Sequence, residues 1–209
     1  MQLSPKSIVR DGYDRVSHAY HSGERHAFES PYDQWLRLLT DRLARDDRVL
    51  DLGCGVGLPI AAALANHYSV LGVDISPVQI ERARSLVPNA DFICRDMYTA
   101  DFESQSFHAV VAFYSLIHLP LEEQPVLLRR VGNWLKPSGW FIATLGLDAW
   151  TGTENDWLGV AGAEMYWNHA DAMTYWRWLQ DAGLEVVDEH PVDDGGGGRH
   201  QLFVAQKAM

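Results

Sequence analysis

The run Arg48-Val49-Leu50-Asp51-Leu52-Gly53-Cys54-Gly55-Val56-Gly57-Leu58-Pro59 sets three glycines within five positions, directly after a short apolar segment. Such a segment reads as a buried strand, and LPIAAALANH after the glycines reads as a helix. Glycine is costly in regular structure, so this density marks a place where something must approach a bare backbone. A strand, a glycine loop and a helix in that order make a nucleotide-binding arrangement at the carboxyl edge of a parallel sheet. Two phosphate-binding versions fail. G-x-G-x-x-G counted from Gly53 or from Gly55 requires a third glycine where Leu58 or Ile60 stands. No Gly-Lys-Ser/Thr follows either, so the loop suggests a nucleoside without a pyrophosphate.

Outward from this unit the chain alternates. Upstream, residues from about Pro5 to Ala44 read as two helices, the second (PYDQWLRLLTDRLA) opened by Ser30 as N-cap and Pro31 at its first position. Downstream, SVLGVDI, DFICRD, FHAVVAFYSL and GWFIATLGL read as strands, separated by helices over PVQIERARSLV and PLEEQPVLLRRVGNWL. Residues 169–182 read as a further helix, with Asn168 or His169 as candidate caps. Continuous apolar strands alternating with helices predict a parallel sheet covered on both faces. The last two strands, EVVDEHPV and RHQLFVAQK, are joined by Asp193-Asp194-Gly195-Gly196-Gly197-Gly198, too short for a crossover helix, which predicts an antiparallel hairpin. Between Asp148 and Asn168 lies an aromatic, glycine-rich insertion without clear periodicity.

A length of 209 residues favours a single domain. The formal charge of −11, from 17 basic and 28 acidic residues, argues against a nucleic-acid binder, which needs a basic face. Two cysteines make no disulfide framework and fit a reduced, cytoplasmic setting. Cys54 reads as a packing residue of the loop and Cys94 as a buried strand end. No signal-peptide pattern or long apolar run appears, so neither secretion nor membrane insertion is expected.

Asp74 ends the next strand, 23 residues after Asp51. A carboxylate there accepts hydrogen bonds from both ribose hydroxyls of a bound nucleoside. With Ser76 placed to cap the following helix, Asp74 reads as free for that task. At this point the chain resembles the class I S-adenosylmethionine-dependent methyltransferases of small molecules. The resemblance is carried by Val49–Gly57, by Val73-Asp74-Ile75-Ser76, by Arg95-Asp96-Met97 and by Ala112-Phe113-Tyr114-Ser115-Leu116-Ile117-His118, and it runs from about Tyr13 to Val204.

The resemblance implies a Rossmann-like α/β fold: a seven-stranded sheet in the order 3-2-1-4-5-7-6, strand 7 antiparallel, helices on both faces and an N-terminal helical lid. On that pattern residues 1–45 are the lid, 46–147 the cofactor-binding core, 148–168 an acceptor-side insertion and 169–209 a C-terminal helix and hairpin. It implies S-adenosyl-L-methionine as methyl donor and S-adenosyl-L-homocysteine as product. Gly53, Gly55 and Gly57 would make room for the donor's amino-acid end, and Asp51 would order the loop from below or reach the donor's ammonium. Asp74 would hold the ribose. Asp96 would read the adenine edge while Ile75 and Met97 sandwich the ring. Tyr13 and Tyr20 resemble lid tyrosines that touch the donor's carboxylate, and Phe113 and Tyr114 are candidates to face the sulfonium.

For the acceptor, the insertion supplies Trp150, Trp157, Tyr166 and Trp167, read as a pocket for a small, flat or apolar molecule. Trp176 and Trp178, at helical spacing, read as core. His118 and His169 are the candidate acid–base groups, and His26 and His200 candidate pocket residues, with a surface place as the plainer reading of His200. The spacing of His18, His21 and His26 is no recognised zinc pattern, and no metal is expected. The sum is a methyltransferase acting on oxygen or nitrogen of a small organic acceptor, as a monomer or homodimer. The alternatives are a donor-binding protein that transfers nothing and a donor-dependent reaction such as cyclisation on the same fold.

Overall fold

The computed structural model describes residues 3–21, 31–193 and 199–209. Ser30 and His26, and the four glycines 195–198, lie outside the described residues. The chain runs α1 (Pro5–Tyr20), α2 (Pro31–Thr40), β1 (Arg48–Leu52), α3 (Ile60–Leu64), β2 (Ser69–Asp74), α4 (Pro77–Leu86), β3 (Asp91–Cys94) and β4 (Phe107–Phe113). It continues through α5 (Gln124–Trp134), β5 (Leu135–Gly146), β6 (Trp150–Glu154), β7 (Met165–His169), α6 (Ala172–Asp181), β8 (Leu184–Asp193) and β9 (Arg199–Lys207).

Seven strands form one sheet in the order β3-β2-β1-β4-β5-β9-β8. β2, β1, β4 and β5 run parallel, and β9 is antiparallel to both of its neighbours. This is the expected order, with β8 and β9 as the predicted final hairpin. Val49, Leu50 and Leu52 of β1 and Ala109 to Ala112 of β4 are wholly buried, which is why these strands read as unbroken apolar runs. One core layer packs Leu127, Leu128, Val131 and Trp134 of α5 and Tyr175 and Leu179 of α6 on one face. The other packs Trp35 and Leu39 of α2, Ile60 and Leu64 of α3 and Ile80 and Ala83 of α4 on the opposite face. Trp176 and Trp178 lie against the first layer, as their spacing predicts.

Four expectations are corrected. The insertion is not irregular: β6 and β7 pair as a separate two-stranded antiparallel sheet, Trp150 opposite His169 and Glu154 opposite Met165. Because β7 continues through His169, the next helix starts later, and Asp171 caps it by accepting from the Thr174 amide at 2.8 Å. Cys94 is exposed, since β3 is an edge strand. His200 is buried within β9, paired in register with Gly146 of β5 and Val192 of β8. The helices α2 and α3 are also shorter than their sequence patterns suggest.

α1 closes the carboxyl ends of the central strands. Ser4 caps it, its hydroxyl accepting from the Ser7 amide, and Pro5 opens it. Its buried residues Val9, Gly12 and Val16 set the inner face. Gly12 is required there by close approach: a Cβ would sit 2.3 Å from the Glu164 carbonyl oxygen. A polar seam ties α1 to α4, with Ser17 Oγ donating to Gln79 Oε1 at 2.7 Å and Ser76 Oγ to Asp14 Oδ1 at 2.5 Å.

Candidate active site

A pocket of about 930 Å³, including its open mouth, lies beneath α1 at the carboxyl ends of β1, β2 and β4. The sheet order reverses between β1 and β4, and a crevice at such a switch point is the ligand site of open α/β sheets. Its floor is the glycine loop. The amides of Gly53 and Cys54 both donate to the Val73 carbonyl, at 2.7 and 3.1 Å, stitching the loop to β2. Gly53 has φ +77° and packs so closely that a Cβ would sit 2.2 Å from Ser115 Cβ. Gly55 has φ +53° and faces open space: a Cβ there would find nothing nearer than Gln79 Nε2 at 3.9 Å. Gly57, also read as a donor contact, instead packs toward Val87 and Phe92 and does not line the pocket.

Two carboxylates face this floor. Asp51 is buried, and its Oδ2 has no hydrogen-bond partner among the described residues. Burial, with the charge of Asp74 nearby, pushes its pKa up to about 7. Asp74 Oδ2 accepts from the Gly55 amide and its Oδ1 from the Ser76 amide, both at 2.9 Å. The capping role of Ser76 therefore does not release Asp74 from structural work. Each oxygen keeps a second lone-pair direction for a ligand. Burial raises the Asp74 pKa to about 6 against the opposing pull of those amides.

Ile75, Asp96, Met97, Tyr20, Phe113 and Tyr114 all line the pocket. Phe113 stacks on Trp35 at 5.3 Å with 27° between planes, and Tyr32 meets it edge-on at 5.7 Å. Tyr114 holds φ +53°, rare for a bulky residue, with its amide donating to Thr144 Oγ1 at 2.5 Å.

Tyr13 and His118 complete the wall. The Tyr13 hydroxyl lies 3.0 Å from His118 Nε2, and His118 Nδ1 lies 2.7 Å from the Tyr166 carbonyl oxygen. A carbonyl only accepts, so Nδ1 carries the proton and Nε2 is the acceptor for Tyr13. Burial lowers the His118 pKa to about 4, with His200 and His169 adding to the effect, so the ring is neutral at physiological pH. Burial raises that of Tyr13 well above the ordinary tyrosine value.

The insertion acts differently from its reading. Trp150, Trp157, Tyr166 and Trp167 do not line the pocket. Trp157 packs on Tyr13 and Tyr20 at 5.4 and 5.6 Å, and Trp167 on His118 at 5.8 Å, so the hairpin braces the lid and the Tyr13–His118 pair from behind. Trp150 is half exposed. His169 and His200 also stand outside the lining, their rings 5.9 Å apart, with His200 5.0 Å from Tyr114. Sequence reasoning missed Lys6, Tyr32, Gln79 and Leu58, all of which line the pocket and come from separate elements.

Residues 49–139 match the family described as a methyltransferase domain. That match and the sheet order show the Rossmann-like fold of methyltransferases. A 139-residue stretch, 60% of the chain, is 34% identical to the 27-O-demethylrifamycin SV methyltransferase of Amycolatopsis mediterranei, and the chain spans about half the length of that relative, 49%. Among solved structures, magnesium protoporphyrin IX methyltransferase from Synechocystis PCC 6803 with bound SAH superposes with a TM-score of 0.75 at 16% identity, over 98% of this chain and 100% of that one. The [4+2]-cyclase SpnF superposes with a TM-score of 0.74 at 18% identity, over 100% and 98%. At those identities the two structures speak for the fold alone. No helix among the described residues is long and apolar enough to cross a membrane.

The pocket fits S-adenosylmethionine, the donor that the sequence resemblance implies. A buried carboxylate oxygen without a partner among the described residues, a second buried carboxylate and a glycine cradle that a Cβ would fill suit a ligand bearing positive charge and an amino-acid end.

Proposed function

We propose that this chain transfers a methyl group from S-adenosylmethionine to an oxygen or nitrogen of a small, flat or apolar organic acceptor. The observation that carries the reading is the Asp51 Oδ2 atom, buried without a hydrogen-bond partner among the described residues at the floor of a cradle open at Gly55. When bound, the donor supplies an electrophilic methyl on a positively charged sulfur. Asp51 and Gly55 hold its amino-acid end, Asp74 its ribose, and Asp96, Ile75 and Met97 its adenine. The negative pair Asp51 and Asp74 draws a cationic ligand into a pocket where solvent screening is weak.

The aromatic wall of Tyr32, Phe113 and Tyr114 offers the acceptor flat apolar contact. Tyr13 and His118 supply proton transfer. An acceptor hydroxyl or ammonium gives its proton to the Tyr13 oxygen as the Tyr13 hydroxyl proton passes to His118 Nε2. His118 is neutral at physiological pH, as an acceptor must be, although burial also makes the ring a weak base. Much of the rate otherwise comes from orientation and exclusion of water beneath α1.

The test is calorimetric titration with S-adenosylmethionine, S-adenosylhomocysteine and NAD in parallel, followed by a screen of hydroxyl- and amine-bearing aromatic compounds for S-adenosylhomocysteine release. Binding of the first two without NAD, with S-adenosylhomocysteine formed on some acceptor, supports the reading. NAD binding alone would overturn it. A cyclisation or a mere binding role predicts that no donor is consumed on any acceptor.

A further inference from the structure

The lid helix α1 is fastened at both ends, and the two fastenings differ in kind. Near its C-terminus Arg82 donates to the Ser17 hydroxyl at 2.7 Å and to the carbonyls of Ser17 and His21. Arg82 does not line the pocket. Near its N-terminus Lys6 Nζ lies 2.7 Å from Asp96 Oδ2 and 2.8 Å from Glu123 Oε2, with the Tyr98 ring centroid 4.7 Å away. Lys6 and Asp96 both line the pocket.

On the reading that Asp96 meets the donor's adenine, we propose that Lys6 is a positioning residue that couples donor binding to closure of α1. The Tyr98 amide already donates to Asp96 Oδ1 at 2.9 Å. Lys6 on Oδ2 therefore fixes the remaining oxygen and sets the plane of the carboxylate. Each oxygen retains one lone-pair direction for the ligand.

Exposed ion pairs contribute little, but this one differs in setting. Its three side chains are only 17–24% exposed, and one ammonium serves two carboxylates over an aromatic face. Without Lys6, Asp96 and Glu123 confront each other uncompensated, and Asp96 loses its fixed orientation. The same α1 carries Val9 and Tyr13 into the pocket, so a lid released at Lys6 uncovers the bound nucleoside. Linkage then requires that donor binding tighten the lid by the same factor by which the lid tightens donor binding.

The experiment is calorimetric titration with S-adenosylhomocysteine, together with hydrogen exchange of the α1 amides with and without it. It compares wild type with Lys6→Met, Lys6→Arg, Asp96→Asn and the double variant Lys6→Met/Asp96→Asn, and with Arg82→Met as a lid control. Lys6→Met is expected to weaken binding roughly tenfold and to lose the ligand-induced protection of α1. Lys6→Arg should restore most of both. In the Asp96→Asn background the Lys6 change should have little further effect, the signature of a coupled pair. Arg82→Met should speed exchange in α1 with or without ligand, leaving the protection that the ligand adds. The same outcomes are read on Lys6→Gln if Lys6→Met does not fold. Affinity within about twofold of wild type, or additive effects of the two substitutions, would overturn the proposal. Wild type that binds no S-adenosylhomocysteine overturns the donor reading and this inference with it.

Discussion

The Tyr13 hydroxyl lies 3.0 Å from His118 Nε2, joining the lid helix to the turn at Leu116–His118 that follows β4, and both residues line the pocket. His118 is buried and Tyr13 partly so, and the Tyr166 carbonyl of the inserted hairpin, 2.7 Å from Nδ1, fixes which nitrogen accepts. Tyr13→Phe removes the proton carrier but keeps the ring that packs on Trp157. It should lower kcat by about 10²-fold, the usual scale of one acid–base group, while donor Kd moves little. Single-turnover rates at saturating donor and acceptor check this, and an undiminished rate would remove the pair from the chemistry.

The pH dependence should split between binding and turnover. His118, held down at about 4, is neutral at every higher pH, so it imposes no fall in kcat until the medium approaches that value. Asp51 and Asp74 titrate near 7 and 6 in the free protein, and only their ionised forms attract a cation. S-adenosylmethionine affinity should therefore rise from pH 5 to pH 8 while kcat stays level, measured as Kd and kcat on the same preparation. Coincident profiles would assign both to one group and contradict the split.

Asp51 also predicts a trade between stability and binding. Its folded pKa is raised from 3.8 to about 7, so the stabilisation it contributes is complete below the unfolded value and is lost as pH rises through about 7. At pH 8 the protein carries a buried, ionised carboxylate oxygen with no partner among the described residues. Asp51→Asn should then raise the stability of the ligand-free protein by on the order of 2 kcal/mol at pH 8, with the gain shrinking by pH 5. Donor affinity should fall together with that gain. Denaturation midpoints at the two pH values decide it; equal stabilities at pH 8 would show that the Asp51 charge costs nothing.

The central strands are legible because β1, β2 and β4 are largely buried on both faces and read as mainly apolar runs, and β8–β9 because the link at 193–198 is too short to cross the sheet. Asp51 and Asp74, which their spacing singles out in the sequence, both line the pocket. The β6–β7 hairpin escaped notice because it stands apart from the main sheet. β6 is largely exposed on both faces, so Trp150-Thr151-Gly152-Thr153-Glu154 shows no apolar alternation. His169 was misplaced for a related reason. Its neighbours in sequence are aromatic, but strand pairing carries it to Trp150 and His200 rather than to the pocket. Lys6 gave no local signal, since its partners Asp96 and Glu123 lie far along the chain.

The two pocket-lining glycines of the loop should fail in opposite ways. Gly53 has φ +77° and would drive a Cβ to 2.2 Å from Ser115 Cβ, where Ser115 is itself held by its hydroxyl donating to the Leu52 carbonyl at 2.6 Å. Neither side can yield, so Gly53→Ala should cost about 2–4 kcal/mol of stability, from backbone strain and overpacking together. At Gly55 the backbone conformation alone opposes a side chain, with φ +53° and no atom nearer than 3.9 Å. Gly55→Ala should cost only about 1 kcal/mol of stability. Its methyl instead occupies the cradle, and donor affinity should fall at least roughly tenfold. Chemical denaturation and calorimetry on both variants separate the two losses. If Gly55→Ala binds S-adenosylhomocysteine as wild type does, the open space above Gly55 is not where the donor's amino-acid end lies.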